Sequence, residues 1–114
     1  MFWRRNKSEA PTPANPATFA EAKEAARRAA FLNVASGMTT DKAYKQSLTE
    51  LFRMCRSEAV TAGAAEGLSE ADVDASIAAL CDADTERMQS ASDDEFRQFA
   101  HESGEIVKSF LGGR

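Results

Sequence analysis

Residues 64–95 read AAEGLSEADVDASIAALCDADTERMQSASDDE, and this stretch contains the two clearest helix starts in the chain. Ser69 is followed by Asp72 at the third helical position, a pattern close to that of a capping box. Ser92 is followed by Glu95 at the same spacing, and this pair matches the capping-box pattern in full. At this spacing the serine and the carboxylate satisfy each other's free backbone N–H groups. The stretch therefore predicts two helices, one beginning at each serine.

The same stretch is strongly acidic. Its ten carboxylates and single arginine give a formal charge of −9, whereas the whole chain of 114 residues carries −4, so the remainder sums to +5. About half of these carboxylates lie in first helical turns, where the helix dipole favours negative charge. The pattern assigns no such role to Asp74, Asp82, Asp84 and Glu86. We expect these four, together with Asp72, to form an acidic outer surface on the third helix.

Two interpretations of this acidic surface remain open. The carboxylates can keep an alanine-rich protein soluble, or they can bind a partner protein that has a basic surface, since complementary charge steers association. The second interpretation predicts a small non-enzymatic helical interaction protein that acts as an inhibitor, adaptor or regulatory subunit. Direct binding to nucleic acid is disfavoured, because phosphate contacts need clustered Lys and Arg and this chain is acidic overall.

The remainder of the folded chain also has helical periodicity. No segment alternates with period two, so the predicted fold class is all-α, either a four-helix bundle or a compact irregular helical array. The predicted helices, within a single domain of residues 18–114, cover about residues 18–36, 40–62, 69–90 and 92–111. We expect the second, third and fourth helices to supply most of the core. A solvated face on the first helix is expected to hold Glu21, Glu24, Arg27 and Arg28.

Residues 1–17 are predicted to be a flexible tail, because their three prolines prevent a continuous helix and favour solvated backbone. The tip of the tail carries Phe2, Trp3, Arg4 and Arg5. Aromatic and basic side chains together suit a membrane interface or an acidic protein surface. A second hypothesis is therefore peripheral membrane association, although so short a tip binds lipid only weakly. The alternative is that its aromatic residues fold back onto the domain.

A third hypothesis is a homo-oligomer. The first helix presents small side chains on one face, which permits close approach of another helix. The residues of this face are Ala22, Ala25, Ala26, Ala29, Ala30 and Leu32. Alanine buries little area, so the core is expected to be thin, and a second copy could complete it.

The sequence contains no constellation typical of an enzyme. His101 is the only histidine, and no second histidine or nucleophile is spaced to meet it. No glycine-rich phosphate loop and no HExxH pattern is present. Cys55 and Cys81 form no CxxC pair, and we expect both to be buried free thiols of a reduced, cytoplasmic protein. We therefore expect no catalytic residue, no metal and no cofactor.

Overall fold

A computed structural model of the chain describes residues 17–36 and 41–112. They form four helices, which are α1 (Phe19–Ala35), α2 (Lys42–Ala65), α3 (Glu70–Gln89) and α4 (Asp93–Gly112). These ranges contain no strand, and the predicted all-α fold class is confirmed. The tip with Phe2, Trp3, Arg4 and Arg5 lies outside the described residues.

The helix starts depend on local capping. At the start of α1 the Thr18 hydroxyl accepts a hydrogen bond from the Glu21 backbone N–H at 3.1 Å, and the Glu21 carboxylate accepts one from the Thr18 N–H at 3.0 Å. The same reciprocal pair begins both α3 and α4. At the end of α2, Gly67 has a φ of +86°, a left-handed conformation that ends the helix and redirects the chain.

The centre of the fold is α1. It packs against each of the other three helices, whereas those three contact one another much less. Its fully or almost fully buried positions include Ala22, Ala25, Ala26 and Ala29. An alanine extends only to Cβ, so neighbouring helix backbones can approach this helix closely. The expectation that the second, third and fourth helices supply most of the core is therefore wrong, because the core is assembled on α1.

The alanine face of α1 is covered within the chain. Residues from all three other helices form one apolar cluster with it, namely Cys55 and Ala59 of α2, Val73 and Ile77 of α3, and Val107 of α4. The face that was expected to complete a core between two copies is thus already occupied by the protein's own helices.

Two glycines inside helices make a matched test of this packing. A Cβ added at Gly63 of α2 would lie 2.6 Å from Cγ2 of Val73, which is fully buried. A Cβ added at Gly104 of α4 would meet nothing within 4 Å. We expect Gly63→Ala to lower the free energy of unfolding by about 1–3 kcal/mol through overpacking. We expect Gly104→Ala to raise it by up to about 1 kcal/mol, because alanine is the better helix former.

Urea denaturation followed by circular dichroism measures both changes. The double variant Gly63→Ala/Val73→Ala removes the obstructing methyl groups and tests whether the clash is the cause. Equal effects of the two glycine substitutions would show that α2 does not approach α3 as closely as described.

Candidate interaction site

A polar network joins α1 to α3 and α4. Arg27 donates from Nε to Oδ2 of Asp84 at 2.7 Å, donates again to Oδ1, and donates from Nη1 to Glu24 at 2.9 Å. Arg28 donates to the other Glu24 oxygen at 2.9 Å and to Ser103 Oγ at 3.3 Å. The Asp84 side chain is only 4% exposed, and Ser103 is fully buried. A bidentate arginine–carboxylate pair of this kind fixes the relative position of the helices that carry it.

The solvated face predicted on the first helix is therefore largely an interface. The Arg27 and Arg28 side chains are 18% and 13% exposed, because α3 and α4 cover them. The hydrogen bond to Asp84, opposed by burial, raises the pKa of Arg27 above its ordinary value. Burial by itself would raise the pKa of Glu24, but hydrogen bonds and charge from Arg28 and Arg27 outweigh it and lower that pKa.

Aromatic rings extend the same interface toward the start of α4. Phe99 is 4% exposed, and the guanidinium groups of Arg28 and Arg87 each contact its ring with Cζ 4.4 Å from the ring centroid. Phe31 of α1 meets the Phe99 ring edge-on, with centroids 4.6 Å apart, and lies 5.3 Å from the ring of Phe96. Cation–π and edge-to-face contacts of this geometry hold α4 against α1.

The five predicted partner-binding carboxylates differ in burial and in their hydrogen-bond partners. Asp84 is buried, so its placement on the acidic surface is wrong. It follows Ile77 by seven positions and Leu80 by four, which puts it on the inward stripe of α3, and this spacing was the signal that could have found it. The sequence did not reveal that Arg27, on another helix, would be its partner.

Two further members of the set lie at the surface but already have local partners. Asp74 accepts two hydrogen bonds from Arg56 of α2, both at 2.7 Å, and Glu70 accepts a third. The hydrogen bond to Arg56 lowers the pKa of Asp74. Asp72 is the N3 residue of the α3 capping box, and its bonds to Ser69 lower its pKa.

Asp82 and Glu86 remain exposed, as predicted, and neither has an ion pair or side-chain hydrogen bond within the described ranges. Three more exposed carboxylates begin α4. We call this set the acidic rim, and it consists of Asp82, Glu86, Asp93, Asp94 and Glu95.

An apolar groove of about 230 Å³ lies between α1 and α3 at the start of α4, and the acidic rim adjoins it through neighbouring positions in the chain without lining it. Its apolar lining consists of Ala30, Phe31, Val34, Cys81, Met88 and Phe96, and we call it the α1–α3 groove. Val34 is 76% exposed and Phe96 is 38% exposed, which makes them two of the most exposed large apolar side chains described. Rim residues Asp82 and Glu95 are chain neighbours of lining residues. Sequence reasoning did not identify this groove, because it depends on how α1 and α3 cross.

The remaining candidate groups are the two cysteines and the histidine. Burial, followed by the charge of Glu58, raises the pKa of the Cys55 thiol to about 11. Cys81 is half-buried rather than buried, and desolvation also raises its pKa. His101 is exposed on α4. Among residues 17–36 and 41–112, no three His, Cys, Asp or Glu side chains come close enough together to hold a metal ion.

Within the described ranges, no helix combines the length and the apolar character needed to cross a lipid bilayer. The chain matches no protein-family model, and no curated protein or solved structure is significantly similar to it. The fold and the site define it as a small all-α protein with an apolar groove beside an acidic rim.

Proposed function

We propose that this protein is a non-enzymatic, cytoplasmic interaction module that binds a basic amphipathic segment of a partner protein in the α1–α3 groove. The observation that carries the proposal is the exposure of Val34 and Phe96 near the acidic rim, where Asp82 and Glu86 have no ion pair within the described residues. An amphipathic segment can place apolar side chains in such a groove and basic side chains on its rim. Two free thiols and no disulfide suit a reducing compartment.

The charges around the groove favour a basic ligand. Arg27, in the lining of the groove, is already paired with Asp84 and Glu24 and offers no free charge to an acidic ligand. Two further cations lie nearby: Arg87 contacts the Phe99 ring, and the highly exposed Arg97 lies 3.5 Å from Asp94. The excess negative charge speeds association with a basic partner, whereas the apolar lining supplies most of the affinity. Such a module acts as an inhibitor, adaptor or regulatory subunit of the protein that carries the segment.

A designed peptide tests this proposal without knowledge of the natural partner. The probe is a fluorescent amphipathic helix of about 18 residues, roughly five turns, with Leu and Phe on one face and Lys and Arg on the other. A second peptide with every Lys and Arg replaced by Glu is the ligand control. Fluorescence anisotropy with the full chain gives the dissociation constants at low and high salt.

We expect Val34→Asp to weaken binding of the basic peptide about tenfold, since burying a valine contributes roughly 1.5 kcal/mol. Met54→Asp is the matched control, because Met54 is an exposed apolar residue of α2 that does not line the groove. If the two variants bind the peptide equally well, the groove is not the binding site.

Asp82→Asn/Glu86→Gln tests the rim separately. We expect this double variant to weaken binding several-fold at low salt and to have little effect at high salt, because exposed charges are then screened. Glu66→Gln/Glu105→Gln removes the same charge away from the groove and is the control. An equal loss in both double variants would show that only the net charge matters.

A further inference from the structure

We propose that the N-terminal segment of this same chain, residues 1–16, is the resident ligand of the α1–α3 groove, so that a partner must displace it. The inference rests on the proposed function, because it uses the same groove and the same ligand chemistry. The segment begins with two aromatic side chains, Phe2 and Trp3, followed by three cations, Arg4, Arg5 and Lys7. This is the combination of apolar anchors and basic groups that the groove and its rim would recognise.

The charges of the two elements are complementary. Residues 1–16 carry three cations against one carboxylate, whereas the acidic rim carries five carboxylates, of which Asp94 alone has an ion pair within the described residues, with Arg97. Asp82 and Glu95 are chain neighbours of the lining residues Cys81 and Phe96, so an aromatic side chain in the groove would bring the adjacent arginines toward these carboxylates. Physiological salt screens charges incompletely at separations below about 8 Å. The electrostatic attraction between the N-terminal segment and the acidic rim therefore acts at the α1–α3 groove.

The length of the segment allows docking within one molecule. Phe31, in the groove, follows Ala17 by fourteen residues of mostly helical chain, which corresponds to about 21 Å along α1. The fourteen residues from Trp3 to Ala17 can span about 45 Å when extended. The extended segment is therefore longer than the distance along α1 that it must cover to reach the groove.

Tethering makes even a weak contact effective. A short tether between a ligand and its site gives an effective concentration on the order of 1 mM. With a dissociation constant of about 100 µM for the untethered segment, the groove would be about 90% occupied, and an external ligand would bind about tenfold more weakly. An N-terminal segment bound this strongly would cover Val34 and Phe96 until a ligand of higher affinity displaces it.

The other large apolar depression is a poorer match. It lies between α2 and α4, and its apolar lining includes Leu48, Leu51 and Val107. The charges of Glu105 and Lys108 in its lining cancel, as those of Arg27 and Asp84 do in the α1–α3 groove, but only the α1–α3 groove has acidic-rim residues next in the chain to its lining. Charge complementarity therefore selects the α1–α3 groove.

Trp3 is the only tryptophan of the chain and reports its own environment. For the full wild-type chain we expect blue-shifted emission and protection from acrylamide quenching, as for an indole held against apolar side chains. Val34→Asp should shift the emission to that of exposed tryptophan, whereas Met54→Asp should leave it unchanged. The wild-type emission should be independent of protein concentration, because the contact is within one molecule.

Three fluorescence results would overturn the inference. Solvent-like emission in the wild type would show that the tip does not dock. A response to Met54→Asp but not to Val34→Asp would place the tip on another surface. A blue shift that grows with protein concentration would mean that the tip docks on a second copy.

A competition experiment separates this inference from the proposed function. In the full chain, Phe2→Ser/Trp3→Ser should tighten binding of the basic peptide about tenfold, whereas Thr12→Ser/Asn15→Ser should not change it. If the peptide binds in a Val34-dependent way and the tip variant has no effect, self-occupancy is overturned and the proposed function stands. If neither the wild type nor the tip variant binds the peptide, the proposed function fails, and the inference that rests on it fails as well.

Discussion

We expect Asp84→Ala to destabilise the fold by about 2–4 kcal/mol, because it leaves the mostly buried Arg27 guanidinium without its bidentate partner. Breaking a fully buried ion pair costs roughly 3–5 kcal/mol. We place the effect lower because Arg27 is 18% exposed and keeps its hydrogen bond to Glu24. Urea denaturation monitored by circular dichroism at neutral pH gives the difference.

Asp82→Ala is the matched control, since it removes an exposed aspartate two positions away on the same helix. A change within about 0.5 kcal/mol is expected there. The double variant Arg27→Met/Asp84→Leu replaces the pair by apolar side chains and should recover most of the lost stability. Equal stability of the Asp84 and Asp82 variants would show that the polar network does not hold α3 on α1.

Phe99→Ala has the second large expected effect, a loss of about 3–5 kcal/mol of unfolding free energy. The substitution opens a cavity at a side chain that is 4% exposed and removes the ring contacted by Arg28, Arg87 and Phe31. Because two of these neighbours are cations, the cavity would also leave their flat faces without a π partner. The same urea denaturation measures the loss.

Phe96→Ala removes the same side chain three residues earlier on α4, where it is 38% exposed. We expect it to cost about 1 kcal/mol or less, because the alanine leaves little buried cavity. The two phenylalanines are therefore expected to separate function from stability. Phe96→Ala should weaken the α1–α3 groove as a binding site while the protein stays folded, and a larger loss of stability at Phe96 than at Phe99 would contradict the described packing.

The corrected position of Asp84 changes how any set of acidic substitutions is interpreted. A variant that neutralises Asp84 together with the surface carboxylates would lose binding by destabilising the fold, and it would say nothing about the acidic rim. Asp74 raises the same concern, because it is paired with Arg56 between α2 and α3. Asp82 and Glu86 are the informative pair, since the described structure gives neither of them a partner to lose.

Local spacing in the sequence predicted several features correctly. The start of α3 follows from Ser69 and Asp72, and the start of α4 follows from Ser92 and Glu95, because each capping box joins residues three positions apart. The end of α2 was predicted less well. The helix continues past Gly63 to Ala65, because Gly63 packs against Val73 and Phe19 instead of ending the helix.

Features that join distant parts of the chain were not predicted. Arg27 and Asp84 are 57 positions apart, and no local pattern indicates that a charged residue on α1 will meet one on α3. The α1–α3 groove and the exposure of Val34 likewise depend on how two helices cross. The sequence by itself determined the helical class and the helix starts, because these follow from hydrogen bonds and periodicity within a few residues. Only the tertiary structure decided which helix lies at the centre and which carboxylates remain unpaired, because ion pairing and burial depend on contacts between helices.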